Sequence, residues 1–567
     1  MKNLDKIEGG YPRPQLVRQS FLSLDGLWQY SITNSKDFPT NYDGQIIVPF
    51  SPEAKLSGVE KVVMPQDYLH YNLDFEIKRG FNKGRILLHF GAVDSICDCF
   101  INGNFVGNHV GGYTPFSYDI TEFVAAGQNN IKLIVKDYTD TSYHTRGKQR
   151  IKRGGIWYSM QSGIWQTVWI ESVERNYISS LKVVPDYDNS KVVITVESVG
   201  KLTNLNALVS FEGEEVAVCE FEGDTATIQL DNFHAWDTTC PDLYDLLVIC
   251  DTDAVTSYFG MRKFSIEKDK YGYKRFFLNN KVVFLNGLLD QGYNQLGLLT
   301  PPNQELMQQD ILTAKKMGFN MLRKHIKIEP LKWYYYCDLL GMLVWQDMIN
   351  GGSKYSKSTT MYLPFFNIKI KDNQYKRFGR SDDASRTQFY KEYKEMLTYL
   401  QNVVSLCVWT PFNEGWGQFD SVEVTAYTKQ VDPTRLVDSA SGWHDQGAGD
   451  FASQHIYFKK VPIIKDNRAI ALTEFGGYSY AVPDHIFNVG KTFGYKKFKD
   501  KDKLFNAYVK LYSSQVIPYI SKGLSVAIYT QLTDVEDEVN GLITYDRLVC
   551  KFDIDRIKEF NERIKID

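Results

Sequence analysis

The chain has 567 residues, 43% of them apolar and 23% charged, with a formal net charge of −3. That length exceeds what one hydrophobic core serves, so several domains of ordinary globular composition are expected. The near-neutral balance excludes the electrostatic footprint of a nucleic-acid or anionic-membrane partner.

Residues 1–6 lack the apolar core of a secretion signal, and no window is long and apolar enough to span a bilayer, so a cytoplasmic location is expected. Eight scattered cysteines, without CxxC pairs or Cys/His clusters, predict reduced, buried thiols rather than zinc ligands or a disulfide framework. Cys97 and Cys99 alternate within a predicted strand and should share one sheet face.

From residue 1 to about 174 the pattern is of short alternating strands, such as 84–90 and 130–135, parted by turn signals including Asn102-Gly103-Asn104. With no long helical period, this predicts a jelly-roll β-sandwich over 1–174. Residues 175–268 carry a second series, among them 191–196, 207–211 and 244–249, at the spacing of an immunoglobulin-like sandwich.

From 269 the pattern changes to strand–helix alternation, which predicts a (β/α)8 TIM barrel over 269–567. Its strands are expected at 282–289, 320–325, 342–347, 406–412, 436–441, 451–457, 469–475 and 525–531, with amphipathic helices at 304–317 and 331–340. The fifth and sixth strands are joined by a glycine-rich segment too short for a full helix. A long insert, 351–386, follows the third strand; it either shapes the pocket mouth or forms a solvated flap.

Two of these strands end alike. The fourth runs into Asn413-Glu414-Gly415 and the seventh into Glu474-Phe475-Gly476. A strand buried on both faces can aim one carboxyl into a cavity at its end. Two such carboxyls across a sugar-sized gap are the working parts of a glycosidase. Trp409, Phe412 and Trp416 would desolvate Glu414 and, with a charged Glu474 nearby, raise its pKa. Glu474 has to stay ionised, and Arg323 and Tyr457, at the ends of strands two and six, are the candidate donors to it. His325, Trp345, Asp347, Trp443, His444, His455 and Gln531 also lie at or just beyond strand ends and are candidates for lining or supporting the pocket. Asp534, Glu536, Asp537 and Glu538 read as a solvated acidic loop, the alternative being that a carboxylate there holds sugar hydroxyls.

Further motifs point the same way. They are Gly111-Gly112-Tyr113-Thr114-Pro115-Phe116, Gly154-Gly155-Ile156-Trp157 and Ser162-Gly163-Ile164-Trp165-Gln166, then Pro241-Asp242-Leu243-Tyr244, Phe259-Gly260-Met261-Arg262, Leu285-Asn286-Gly287 and Gly318-Phe319-Asn320-Met321-Leu322-Arg323. In this order, with the two glutamate motifs, the chain resembles glycoside hydrolase family 2, which includes bacterial β-galactosidases, β-glucuronidases and β-mannosidases. The resemblance implies Glu414 as general acid/base, Glu474 as nucleophile and Asn413 as the amide on the sugar 2-hydroxyl. It also implies retaining, exo-acting hydrolysis through a covalent glycosyl-enzyme, with the carboxyl groups about 5–5.5 Å apart.

The chain also departs from the family pattern. Leu289-Asp290-Gln291-Gly292-Tyr293 replaces an Arg-His-Glu-type run, and Lys324-His325-Ile326-Lys327 a Ser-His-Tyr-Pro-like turn. Asp290 and His325 therefore stand where family members contact non-reacting hydroxyls or a metal. The Asn-x-Lys pair of family glucuronidases does not occur after Glu474; the spacing recurs at Asn367-Ile368-Lys369, in the insert. A β-galactosidase-type activity is thus favoured. A β-glucuronidase, an α-L-arabinopyranosidase and a non-catalytic carbohydrate-binding protein remain the alternatives. No metal ligands and no cofactor are assigned, magnesium being left open. The expected partner is a carbohydrate substrate with a terminal β-linked sugar, with no nucleic acid and no membrane, and a homo-oligomer is not excluded.

Overall fold

The computed structural model describes residues 10–462 and 464–566. Up to Val173 the chain forms two antiparallel sheets. The six-stranded one runs Gly44–Val48, Gly26–Thr33, Tyr68–Ile77, Gly127–Lys136, Ile96–Ile101, Asn104–Val110. The four-stranded one runs Phe21–Ser23, Val168–Val173, Arg85–Phe90, Phe116–Asp119. Alternation along each strand places Trp28, Tyr71, Leu88, Ile131, Leu133 and Ile170 in one shared core. Cys97 and Cys99 both face that core, as their spacing predicts, and all eight cysteines are free. A second sandwich follows, of three strands (Tyr177–Asp186, Lys191–Val199, Thr225–Gln229) against four (Glu214–Glu220, Asn206–Phe211, Tyr244–Ile249, Ala254–Phe259), with its own core around Ile194, Val209 and Leu246.

After a small antiparallel sheet (Phe264–Lys268, Lys274–Leu278, Lys281–Val282) comes a barrel of eight parallel strands, labelled here β1 Leu285–Asp290, β2 Met321–Lys324, β3 Leu343–Asp347, β4 Leu406–Thr410, β5 Leu436–Val437, β6 Phe451–Ile456, β7 Ala469–Gly476 and β8 Leu524–Thr530. Their order around the sheet is β5-β4-β3-β2-β1-β8-β7-β6, and every paired neighbour is parallel. The seam between β5 and β6 closes through single bonds, Asp450 N to Val437 O at 2.7 Å and Gly442 N to Ser453 Oγ at 3.3 Å. No helix occupies 442–450, as the glycine-rich spacing implies.

Helices α1 (Gln304–Lys316) and α2 (Leu331–Leu340) stand close to their predicted bounds. Asn303 caps α1 by accepting from Leu306 N, and Gly341 ends α2 at φ 66°, a left-handed conformation that glycine adopts without a Cβ clash. Among the described residues no helix is long and apolar enough to cross a membrane.

The first sandwich packs on the barrel: Tyr113, Tyr158 and Trp165 belong to the barrel's core cluster, not to their own. The second sandwich is tied to the barrel by Trp236 Nε1 donating to Asp338 O (2.7 Å) and Tyr258 OH to Asp338 Oδ2 (2.8 Å).

Candidate active site

The interior of the barrel ends at a buried polar group built on Arg323 of β2. Its guanidinium donates to Asp347 at 3.0 and 3.1 Å, to Asn413 Oδ1 at 2.7 Å, to Thr473 O at 3.2 Å and to Glu474 Oε1 at 3.3 Å. One side chain thus links the ends of β2, β3, β4 and β7. Its planar fork of donors makes this geometry available to arginine and not to lysine.

Glu414 follows the short extension of β4, Phe412–Asn413, which pairs with Ala440–Ser441. Its backbone has φ 50°, a conformation that costs a non-glycine residue about 1–3 kcal/mol and that clusters at functional sites. Glu414 N donates to Ser441 O (3.0 Å) and Trp416 N to Asn413 O (2.9 Å), so a tight turn fixes the carboxyl at the mouth. On β7 the pairing slips between Leu472 and Phe475 against β8, and β6 slips between Gln454 and His455. Such bulges re-aim side chains, and here they bring Glu474 opposite His455.

His455 Nδ1 lies 2.8 Å from Glu414 Oε1 and 3.6 Å from Glu474 Oε2. One ligand atom from each of the three residues lies within 4.8 Å of the other two. Tyr457, just past β6, donates to Glu474 Oε2 at 2.5 Å and stacks on Tyr495 at 3.8 Å. Burial raises the pKa of Glu414, and the charge of Glu474 raises it further. Burial also works against the charge on Glu474, but His455, Arg323, His325 and Lys148 outweigh it and hold that carboxyl below the ordinary range. The two carboxyls are driven apart, one toward the acid and one toward the anion. Asn413 Nδ2 is buried and makes no hydrogen bond among the described residues, which leaves a donor free beside the pair.

Of the other residues singled out from sequence, His325 and Asp347 join this group, His325 Nδ1 lying 2.7 Å from Asp347 Oδ2. Trp443 lies at its edge, with its ring 6.4 Å from that of His455. Four do not take the expected place. Asp290 accepts from Lys324 Nζ (2.7 Å) and Gly292 N (2.9 Å), and Lys324 stacks on Trp333 of α2, so Asp290 faces the helix layer outside the barrel. Trp345 sits a layer deeper, fully buried, its Nε1 donating to Thr410 Oγ1 (2.6 Å). His444 lies 2.8 Å from Thr359 O through one ring nitrogen and accepts from Ile370 N through the other, so it anchors the insert. Gln531 is enclosed by Gln291 and Asn540.

The acidic run after β8 is not solvated. Asp534 pairs with Lys551 (2.7 Å), Glu536 accepts from Ser159 N (2.9 Å), Asp537 meets Arg153 (3.1 Å), and Glu538 accepts from Tyr158 OH (2.5 Å). The last three of these side chains clamp residues 153–159 of the first sandwich's loop over the barrel. That loop brings in two groups with no signal near the barrel in sequence. They are Trp157, whose ring lies 5.1 Å from that of Trp416, and Lys148. The insert is anchored as well: Arg380 Nε donates to Gly417 O (2.9 Å), and Asp372 accepts from Ser421 N (3.1 Å) and Gln418 (3.0 Å). The Asn367-Ile368-Lys369 segment stands in the insert, Lys369 facing Asp445 at 3.3 Å.

Two family models match the chain: "Glycosyl hydrolases family 2, sugar binding domain" over residues 59–171 and "Glycosyl hydrolases family 2, TIM barrel domain" over 270–473, together more than half of it. The chain belongs to glycoside hydrolase family 2. Among family relatives, a Formosa agariphila protein with a β-glucuronidase name is 29% identical over 456 residues, 72% of this chain and 50% of its own. A β-galactosidase of Thermoanaerobacter pseudethanolicus is 26% identical over 298 residues, 49% of this chain and 39% of its own. The chain spans half or less of the length of these relatives. A solved β-glucuronidase structure from an uncultured Clostridium sp. superposes with TM-score 0.76 at 16% identity, covering 97% of this chain and 99% of that one, which establishes the shared fold.

Proposed function

We propose that this family 2 member is a retaining exo-β-glycosidase. The observation that carries the reading is the approach of the carboxylate oxygens of Glu414 and Glu474 to within 4.8 Å. A retaining pair stands about 5–5.5 Å apart, whereas an inverting pair needs about 6.5–9.5 Å to admit water.

In this reading Glu414 is the acid and Glu474 the nucleophile. Glu474 attacks the anomeric carbon as the glycosidic C–O bond breaks, and Glu414 gives its proton to the departing oxygen. The bond formed is an ester between sugar and Glu474, which removes that residue's charge. The repulsion that raised the Glu414 pKa then falls away, and Glu414 takes a proton from the water that breaks the ester. Arg323 and Tyr457 hold the attacking carboxylate, and the free Nδ2 of Asn413 is placed to donate to the 2-hydroxyl. The names carried by the relatives divide between galactosides and glucuronides, so the choice of sugar falls to the rest of the pocket.

The test is hydrolysis of a panel of 4-nitrophenyl β-glycosides, with the first-formed anomer followed by NMR. At least one sugar should be released with retained configuration. Glu474→Gln should lower its kcat/KM by about 10⁴-fold or more, with an unchanged far-UV spectrum. Release of the inverted anomer, or turnover surviving in Glu474→Gln, contradicts the assignment.

A further inference from the structure

Lys148 is 6% exposed, and among the described residues its ammonium has no hydrogen-bond or ion-pair partner. It lies 5.6 Å from the ring centroid of Tyr158 and 5.7 Å from that of Trp416, two residues past Glu414. The Trp416 contact puts the ammonium on the sandwich side of the site, and its charge lowers the pKa values of His325, Glu414 and Glu474. The backbone there is held firmly. Arg146 N and Gly147 N donate to Asn350 O at 3.0 and 3.3 Å, Lys148 O accepts from Tyr158 N at 3.0 Å, and a Cβ on Gly147 would meet Tyr113 Oη at 2.9 Å and Ile326 O at 3.3 Å.

Two buried lysines of the barrel behave differently. Lys324 reaches Asp290 and Glu329, and Lys327 reaches Glu329, all at 2.7–2.8 Å. Burying a lysine is ordinarily offset by such a partner, and leaving one out is strongly unfavourable. Glu474 is not that partner for Lys148, since it is already engaged by Arg323 and Tyr457 and lies beyond ion-pair distance. Glu414 has to be protonated to act. No protein anion completes Lys148, so the anion that would do so is one that enters the pocket.

We infer that Lys148, supplied by the first sandwich, anchors a carboxylate on the terminal sugar, so that the enzyme takes a hexuronide in preference to a neutral glycoside. The inference rests on the glycosidase reading and deepens it. An ammonium is a compact charge suited to one carboxylate in a partly desolvated pocket. Tyr158 and Trp416 present faces that lower the dielectric around it without competing for its protons.

The experiment uses the full chain and four substrates: 4-nitrophenyl β-D-glucuronide, the corresponding galacturonide, the galactoside, and the methyl ester of the glucuronide, which keeps the shape and removes the charge. A charge-assisted contact of this kind should make kcat/KM for one of the two acids about 10–100 times that of the ester and the galactoside. The comparison of the two acids fixes the C4 configuration. Lys148→Met should bring the acid-to-ester ratio to within about threefold, and Lys148→Arg should recover part of it. A structural role alone would lower both members of that ratio together. Should Lys148→Met not fold, the wild-type ratio and competitive inhibition by free glucuronate against glucose decide between the same two outcomes. A galactoside turned over better than both acids, or an ester as good as its acid, overturns the role of Lys148 and leaves the glycosidase standing. If no member of the wider panel is hydrolysed, both readings fall.

Discussion

Arg323 and Lys324 are neighbours on one strand, and alternation sends them to opposite faces of the barrel wall. Outside, Lys324 joins Asp290, Glu329 and Lys327 in a cluster where every charge has a partner within 2.8 Å. Inside, Arg323 organises Asp347, Asn413 and Glu474, but the group is left incomplete. Among the described residues Asn413 Nδ2 has no acceptor and Lys148 no anion, while the Glu414 carboxyl is driven toward its neutral form. Both clusters are buried and polar, so burial alone does not separate a structural network from a functional one. What separates them is whether each charge is paired within the protein or a charge and a donor are left open for a ligand.

The largest effect expected from opening the inner group further is that of Glu414→Ala. With Glu414 in its proposed role of general acid, its loss should lower kcat by about 10²–10⁴-fold on alkyl glycosides, whose leaving groups need protonation, and far less on dinitrophenyl glycosides. Steady-state kinetics on both classes checks this, and equal losses would contradict the acid role.

The outer cluster is next. Lys324→Met leaves Asp290 and Glu329 without one buried cation and should cost about 3–5 kcal/mol of stability. This would appear as a lowered thermal transition, with kcat/KM of the folded enzyme changed by no more than about threefold. A large kinetic loss without destabilisation would place Lys324 among the functional residues and erase the contrast.

The mildest perturbation is His455→Ala. On the proposed roles, the acid limb of the wild-type kcat/KM profile should report ionisation of Glu474, held low, and the basic limb deprotonation of Glu414, held high. His455 lowers the pKa of both carboxyls. Removing it should move both limbs to higher pH, which a pH–rate profile on an alkyl glycoside, whose departure needs the acid, reads directly. A shift to lower pH would show that the imidazole acts otherwise.

The barrel is legible in sequence because parallel strands buried on both faces read as apolar runs. The eight predicted runs meet the observed strands within three residues at most ends, β5 being cut short after Val437. The glutamates and Asn413 are legible for the same reason, standing where such runs stop. Depth and facing are harder to read. Trp345 is two residues before Asp347, on the same face but one layer down, and Asp290 ends its strand pointing outward. His444 and Gln531 look free in sequence because the atoms that occupy them, Thr359 O and the Asn540 side chain, belong to irregular segments. The acidic run after β8 reads as solvated because the partners that bury it, Arg153, Tyr158 and Ser159, lie nearly four hundred residues upstream. No local pattern announces Lys148, since a lysine inside a β-sandwich loop carries no mark of the barrel that receives it.

The clamp between that loop and residues 536–538 has a consequence for how the protein is made. The sandwich leaves the ribosome early and can form its own core at once. The acids that fix its loop emerge only after nearly all of the barrel has been synthesised. Residues 146–147 can settle on Asn350 as soon as the third barrel strand is made, but translation must reach Glu538 before residues 153–159 are fixed, so a nascent chain stalled short of that point would carry both glutamates and an unfinished sandwich-side wall.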